Sequence, residues 1–193
     1  VDFKVFSAPA NAADGRVAAL RVPGGGTLTR GEIDAYTEYV KTLGAKGLAY
    51  VISDEEGEVR SPIAKFLSEQ ELEAFAPAPG ETLLFAADSW QMTSRVLGTL
   101  RLHLGCELGL IDDGLFTFLW VTDFPMFEWD EDAQRWGAVH HPFTRPTDEW
   151  KDGFADDPGN ALAYAYDLVV NGNELGGGSF RIDHPLDPAN QYL

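Results

Sequence analysis

The residues with the most chemistry between them lie in Ala165–Ile182, AYDLVVNGNELGGGSFRI. Two β-prone runs meet at Asn171-Gly172, a pair that favours the tight turn of a hairpin. Such a hairpin gathers Asp167, Glu174 and Arg181 onto one small element. Strand alternation puts Asp167 and Val169 on one face. Glu174 and Arg181 are seven positions apart, so a regular strand sends them to opposite faces. The run Gly176-Gly177-Gly178 offers a bulge that corrects this. The three glycines also let a ligand approach the backbone closely, because no Cβ intrudes. Two neighbouring carboxylates suit a hard cation such as Mg²⁺ holding phosphates, and a guanidinium suits bidentate capture of a carboxylate. A plainer reading stays open on these residues alone, namely a hairpin with a glycine bulge and a surface ion pair.

A second group is His140-His141-Pro142-Phe143. In a strand over Trp136–Phe143 the two imidazoles point to opposite faces and cannot easily chelate one metal. No cysteine or carboxylate stands at a zinc-ligand spacing from them, so no zinc site is expected. One histidine facing a polar pocket could hydrogen-bond a substrate or titrate near neutral pH, the other being structural. On these residues alone a packed core histidine is the simpler account of either one. Pro23-Gly24-Gly25-Gly26 superficially resembles a phosphate loop. It lacks a following Gly-Lys-Ser/Thr and does not fit G-x-G-x-x-G, so it is expected to be a turn. Trp120, Phe124, Phe127 and Trp129 are expected to pack a sheet, not to stack bases.

The elements that must position these residues can be outlined from periodicity. Phe3–Phe6, Arg16–Val22, Leu48–Ile52 and Leu83–Ala87 read as strands. Thr29 with Glu32, and Ser68 with Glu71, form capping-box patterns that open helices. Ile33, Tyr36, Val40 and Leu43 continue the first of these helices, and Gly44 is its expected stop. A longer helix is expected from Trp90 to about Leu108, with Val96, Leu97, Leu100 and Leu104 on its apolar face. Phe116–Val121 and Trp136–Phe143 read as strands joined across the acidic residues 128–132. A second acidic loop, residues 148–158, leads into Ala161–Val170. The character of the chain changes near residues 105–115, which places one domain over 1–110 and another over 111–193.

Composition narrows the partners. The net charge is −17, from 31 acids and 14 bases. Residues 1–110 hold 10 bases and 15 acids, and residues 111–193 hold 4 and 16. Neither half offers the cationic face that non-specific phosphate binding needs. If a nucleic acid is a partner, its main contacts are expected outside these residues. No eighteen-residue apolar run and no signal-peptide pattern is present, so a cytoplasmic protein with no membrane contact is expected. The single cysteine, Cys106, cannot form an internal disulfide and reads as a small buried hydrophobe.

Several strings together resemble one family. RVAALRVPGG with a following LTR, then GAKGLAY, SPIAKFL and LGTLRLHLG, are similar to the insertion domain of bacterial aspartyl-tRNA synthetases. LWVTDFPMFEWD, HHPFT and AYDLVVNGNELGGGSFRI resemble the catalytic-domain segment that follows that insertion. The resemblance runs from about Phe3 to Ile182 and rests on many strings in one order.

The resemblance implies an α+β fold: an insertion (GAD-type) domain of mixed strands and helices, then part of an antiparallel class II synthetase catalytic sheet. It implies activation of aspartate by ATP to aspartyl-adenylate, then transfer to tRNA. By matching position, His140 contacts the aspartate substrate and His141 is its neighbour in a mobile pocket loop. Arg181 reads the substrate carboxylate. Glu174 binds ATP, and Asp167 lies on the Mg²⁺–ATP side. The implied cofactor is Mg²⁺ with ATP, and the implied partners are aspartate, ATP, tRNA and a second copy of the full-length enzyme. The anticodon-binding barrel and two arginine-bearing ATP motifs of the family are not in these residues, so the chain alone is expected not to aminoacylate. From Asp183 onward the resemblance stops. The alternative from another class is a stand-alone tRNA-binding or regulatory paralogue. A metal-dependent hydrolase using His140 and Asp167 is disfavoured by ligand spacing.

Overall fold

Leu83, Leu84, Phe85 and Ala86 are consecutive and all buried, which requires a strand covered on both faces. That strand, β4 (Glu81–Ser89), is central to a four-stranded antiparallel sheet of order β1-β4-β2-β3. The other strands are β1 (Gly15–Pro23), β2 (Ala49–Ser53) and β3 (Val59–Arg60). The helices of this half are α1 (Lys4–Asn11), α2 (Arg30–Thr42), α3 (Glu69–Phe75) and α4 (Trp90–Glu107). One sheet face packs Leu84 and Ala86 against Ile33, Tyr36 and Val40 of α2 and Val96, Leu100 and Leu104 of α4. The other packs Leu83 and Phe85 against Phe6 of α1, with Leu72 and Phe75 of α3 at its margin. The computed structural model describes residues 3–75 and 77–182, and these divide into two units, the second beginning at Asp113.

Local signals work as the sequence leads one to expect in α2, α3 and α4. At α2, Thr29 Oγ1 accepts from the Glu32 N–H, and the Glu32 carboxylate accepts from the Thr29 N–H at 2.7 Å. Ser68 and Glu71 repeat the exchange at α3, and the Met92 N–H donates to Ser89 Oγ at α4. Gly44, at φ 100°, takes the left-handed conformation that stops α2. Phe3–Phe6 departs from expectation, since Lys4–Asn11 is helical and not a strand. The i, i+3 spacing of Phe3 and Phe6 is what matters. It lets Phe6 sink to 2% exposure against Phe85 while Phe3 stacks on Phe66, and this packing outweighs the local β preference. Cys106 is exposed on α4, contrary to the expectation of burial, because the buried positions of that helix are Thr93, Val96, Leu100 and Leu104.

Tyr36 links α2 to α4. It is almost fully buried, and its phenol is pushed up to about 12, first by burial and then by the Glu107 carboxylate that accepts from it. The protonated phenol is therefore favoured by folding. The stabilisation is complete below the ordinary value of 10 and is lost as pH rises from 10 towards about 12. Urea midpoints on either side of pH 10 should show the loss, and Tyr36→Phe should remove most of that alkaline slope. A slope unchanged by the substitution would show that another group carries it.

The second unit is built from β5 (Phe118–Val121), β6 (Phe124–Pro125), β7 (Phe127–Asp130), β8 (Arg135–Ala138), β9 (Leu162–Ala163), β10 (Ala165–Val170) and β11 (Asn173–Ser179). Its sheet has the order β11-β10-β5, all antiparallel, with two-stranded pairs β6–β9 and β7–β8 beside it. Phe154, only 1% exposed, anchors the acidic loop after residue 148 in a small core with Met126, Ala161 and Ala163. The partner of β8 is β7, not the Phe118–Val121 strand, and Glu128–Asp130 are strand residues of that hairpin. The strand expected over Trp136–Phe143 ends at Ala138. After the Val139 N–H reaches the Met126 carbonyl, Pro142 has no N–H to continue the ladder. Mixed helices and antiparallel strands bear out the α+β class, and among the described residues no helix is long and apolar enough to cross a membrane.

Candidate functional site

The hairpin of β10 and β11 turns at Asn171 and Gly172, at φ 46° and 80°, the two left-handed residues of a type I′ turn. Asn171 does more than turn the chain. Its side-chain oxygen accepts from the Thr117 N–H, and its amide donates to the Leu115 carbonyl, both at 2.9 Å. One residue therefore ties the hairpin to the segment entering β5. The dipeptide signals the turn, but nothing in its spacing signals this second role across more than fifty residues.

The register settles the question of faces. Leu168 pairs with Gly176 and Val169 with Glu174, so Leu175 is the extra, bulged residue of β11. The bulge precedes the glycine run instead of lying within it. It nevertheless corrects the parity as anticipated: Glu174 stands opposite Val169, and Asp167 opposite Gly177, on one face. Alternation onward through Ser179 carries Arg181 to that same face. There, Thr144 bridges to Arg181, and its hydroxyl donates to Ser179 Oγ at 3.5 Å. Asp167, Glu174 and Arg181 thus share one sheet face, with Arg181 and Glu174 exposed and Asp167 half-buried.

The three glycines differ from one another. A Cβ at Gly176 would meet nothing within 4 Å, leaving open backbone. At Gly177 it would fall 2.0 Å from Asp167 Oδ1, and at Gly178, on the opposite face, 2.7 Å from the Tyr166 hydroxyl. The close approach at the last two is made by the chain's own side chains. Tyr166 in turn sits edge-on to Trp120, with ring centroids 5.9 Å apart.

His140 and His141 lie in a bend and turn, so the opposite-faces argument made for a strand does not apply to them. The Thr144 N–H donates to the His141 carbonyl at 2.9 Å, closing a turn with Pro142 at its second position. Within it His141 Nδ1 accepts from the Phe143 N–H at 3.1 Å. A neutral His141 therefore keeps its proton on Nε2, which is left as the donor. His140 sits edge-on to Phe124 at 4.6 Å, and both imidazoles are exposed. The histidine turn is fastened to the arginine segment by backbone bonds: Ile182 N–H to the Phe143 carbonyl and Arg145 N–H to the Phe180 carbonyl. Arg145 also donates to Asp148 at 2.8 Å, and the Tyr164 hydroxyl donates to the same carboxylate at 3.0 Å. Sequence spacing shows none of this brace, because its members come from two distant segments.

Chemically the face offers oxygen donors and one guanidinium. Among the described residues no group of three or more His, Cys, Asp or Glu side chains is placed to hold a metal ion. Two carboxylates without a protein cage fit Mg²⁺, which takes its remaining ligands from phosphate and water, and fit zinc poorly.

The comparisons with known proteins agree with the resemblance read from the strings. Residues 6–97 match the family model of the GAD domain. The chain is 52% identical over 191 residues to an aspartate–tRNA ligase of Xanthomonas campestris pv. campestris (strain B100), covering 95% of this chain and 32% of that protein. It is 51% identical to one of Xanthomonas oryzae pv. oryzae (strain MAFF 311018) and 50% identical to one of Stenotrophomonas maltophilia (strain R551-3), with the same shares covered. The chain thus spans about a third of the length of these relatives.

Proposed function

We propose that this chain, which carries a GAD domain and belongs with the bacterial aspartate–tRNA ligases over the third of their length that it spans, supplies part of the amino-acid and ATP site of such an enzyme. The observation that supports this most is the single sheet face holding Asp167, Glu174 and Arg181, with the His140–His141 turn fastened to the arginine segment. On this reading the parent enzyme is a class II ligase of the cytoplasm, dimeric, that binds tRNA chiefly through residues outside this chain. The acidity of both halves agrees with that division of labour.

Arg181 holds the side-chain carboxylate of aspartate with its planar fork. His140 contacts the aspartate substrate, and His141, whose Nδ1 accepts from the Phe143 N–H, stands beside it in the same turn with Nε2 left to donate. Glu174 and Asp167 would hold Mg²⁺ with ATP, and the ion when bound would supply charge that offsets the phosphates. The α-carboxylate of aspartate, distinct from the side-chain carboxylate on Arg181, faces the α-phosphate and displaces pyrophosphate from it. The residues of this chain bind and orient. None is required as a nucleophile, and the acceleration comes from positioning and from charge stabilisation.

The test is aspartate-dependent ATP–pyrophosphate exchange and tRNA charging by the full-length protein of the same gene, beside the 193-residue chain alone. Both activities are expected in the former and neither in the latter. A full-length product that charges no tRNA would overturn the proposal and leave the tRNA-binding paralogue in its place.

A further inference from the structure

We propose that Gly177 is a positioning residue whose missing side chain lets the Asp167 carboxylate lie flat against the backbone of β11. The inference rests on the reading of Asp167 as a residue of the Mg²⁺–ATP side. Asp167 and Gly177 are direct partners across the hairpin, and partners point to the same face. A Cβ on Gly177 would stand 2.0 Å from Asp167 Oδ1 and 3.1 Å from its Cγ. The carboxylate therefore occupies the space that any other residue type at 177 would fill. Its position is a property of two residues, not of one.

The neighbouring glycines provide the contrast. Gly178 makes room for Tyr166 on the opposite face, and Gly176 has open space where its Cβ would be. Only Gly177 acts on the face shared with Glu174 and Arg181. Energetically, the atom displaced most by a methyl group is the end of a short, half-buried side chain, which can rotate away. The Tyr166 carbonyl oxygen, 2.9 Å from the added atom, is backbone and must shift as well. Substitution should thus move the carboxylate first, at 2.0 Å, and strain the hairpin at Tyr166 second. A purely structural glycine would behave in the opposite way.

The experiment uses the full-length protein with Gly177→Ala, Gly176→Ala, Asp167→Asn and the double variant G177A/D167N. Equilibrium dialysis of Mg²⁺–ATP without aspartate gives the binding readout, and pyrophosphate exchange gives the two KM values. G177A should weaken Mg²⁺–ATP binding about tenfold, the scale of disturbing a residue that orients a metal ligand, with KM for aspartate unmoved. The double variant should be no worse than D167N, because both changes act through one carboxylate. Normal Mg²⁺–ATP binding by G177A beside impaired D167N would overturn the role of Gly177 and leave Asp167 standing. Normal binding by D167N would remove the premise and the proposal together. A G177A protein that fails to fold would also overturn the proposal, because a glycine needed only to build the hairpin behaves in that way.

Discussion

Arg181→Ala in the full-length protein is expected to lower kcat/KM for aspartate about 10²- to 10⁴-fold, the loss of two charge-assisted hydrogen bonds at about 1.5–3 kcal/mol each. The expectation follows from its place. Arg181 reaches the Asp167–Glu174 face only because Leu175 is bulged, and its backbone is held by the bridge to Thr144. Among the described residues it has no ion pair of its own, so its charge is available to a ligand. The loss should be specific to the substrate's carboxylate. KM for ATP should stay close to the unsubstituted value, and the preference for aspartate over asparagine should shrink. Arg181→Lys keeps the charge but not the fork, and should recover only part of the activity. Steady-state exchange kinetics with both amino acids read all three effects. An unchanged kcat/KM for aspartate in the alanine variant would remove Arg181 from the substrate site.

How far the residues announce such a site depends on whether each signal is local. The capping boxes at Thr29 and Ser68, the stop at Gly44 and the Asn171-Gly172 turn are written within four residues, and each forms as expected. Alternation along Asp167–Val169 was readable for the same reason. The need for a bulge followed from parity, but its position did not, because glycines invite a bulge while the register placed it at Leu175. The histidine segment shows the converse. Trp136–Phe143 has strand composition, yet Pro142 cannot donate and the ladder stops at the Val139 N–H. Least visible were the contacts between distant segments: Asn171 with Leu115 and Thr117, Arg145 and Tyr164 on Asp148, and Asp167 over Gly177. These depend on which strands pair, and that information is spread over the whole chain. The glycine triplet read as one feature in sequence, and it became three different residues once the register was known.

The other large effect is on stability. Leu100→Ala should destabilise the first unit by about 2–5 kcal/mol, the range for removing a fully buried leucine and leaving a cavity. Leu100 is 0% exposed and lies with Leu84 of the central strand and Tyr36 and Val40 of α2 in one core. Neighbouring side chains on a close-packed sheet have little freedom to fill the gap. A loss of that size is a large part of the roughly 5–15 kcal/mol that holds a domain folded. Leu102→Ala, two positions along the same helix, is the control. Leu102 is 53% exposed, so its truncation should cost no more than about 0.5 kcal/mol. Urea unfolding of the chain, followed by the far-ultraviolet signal of α2 and α4, compares the two midpoints directly. A much earlier midpoint for Leu100→Ala alone is the result that the burial of α4 requires. Equal midpoints would mean that α4 meets the sheet through a different face, and the helix carrying Tyr36's partner Glu107 would then have to be turned about its axis.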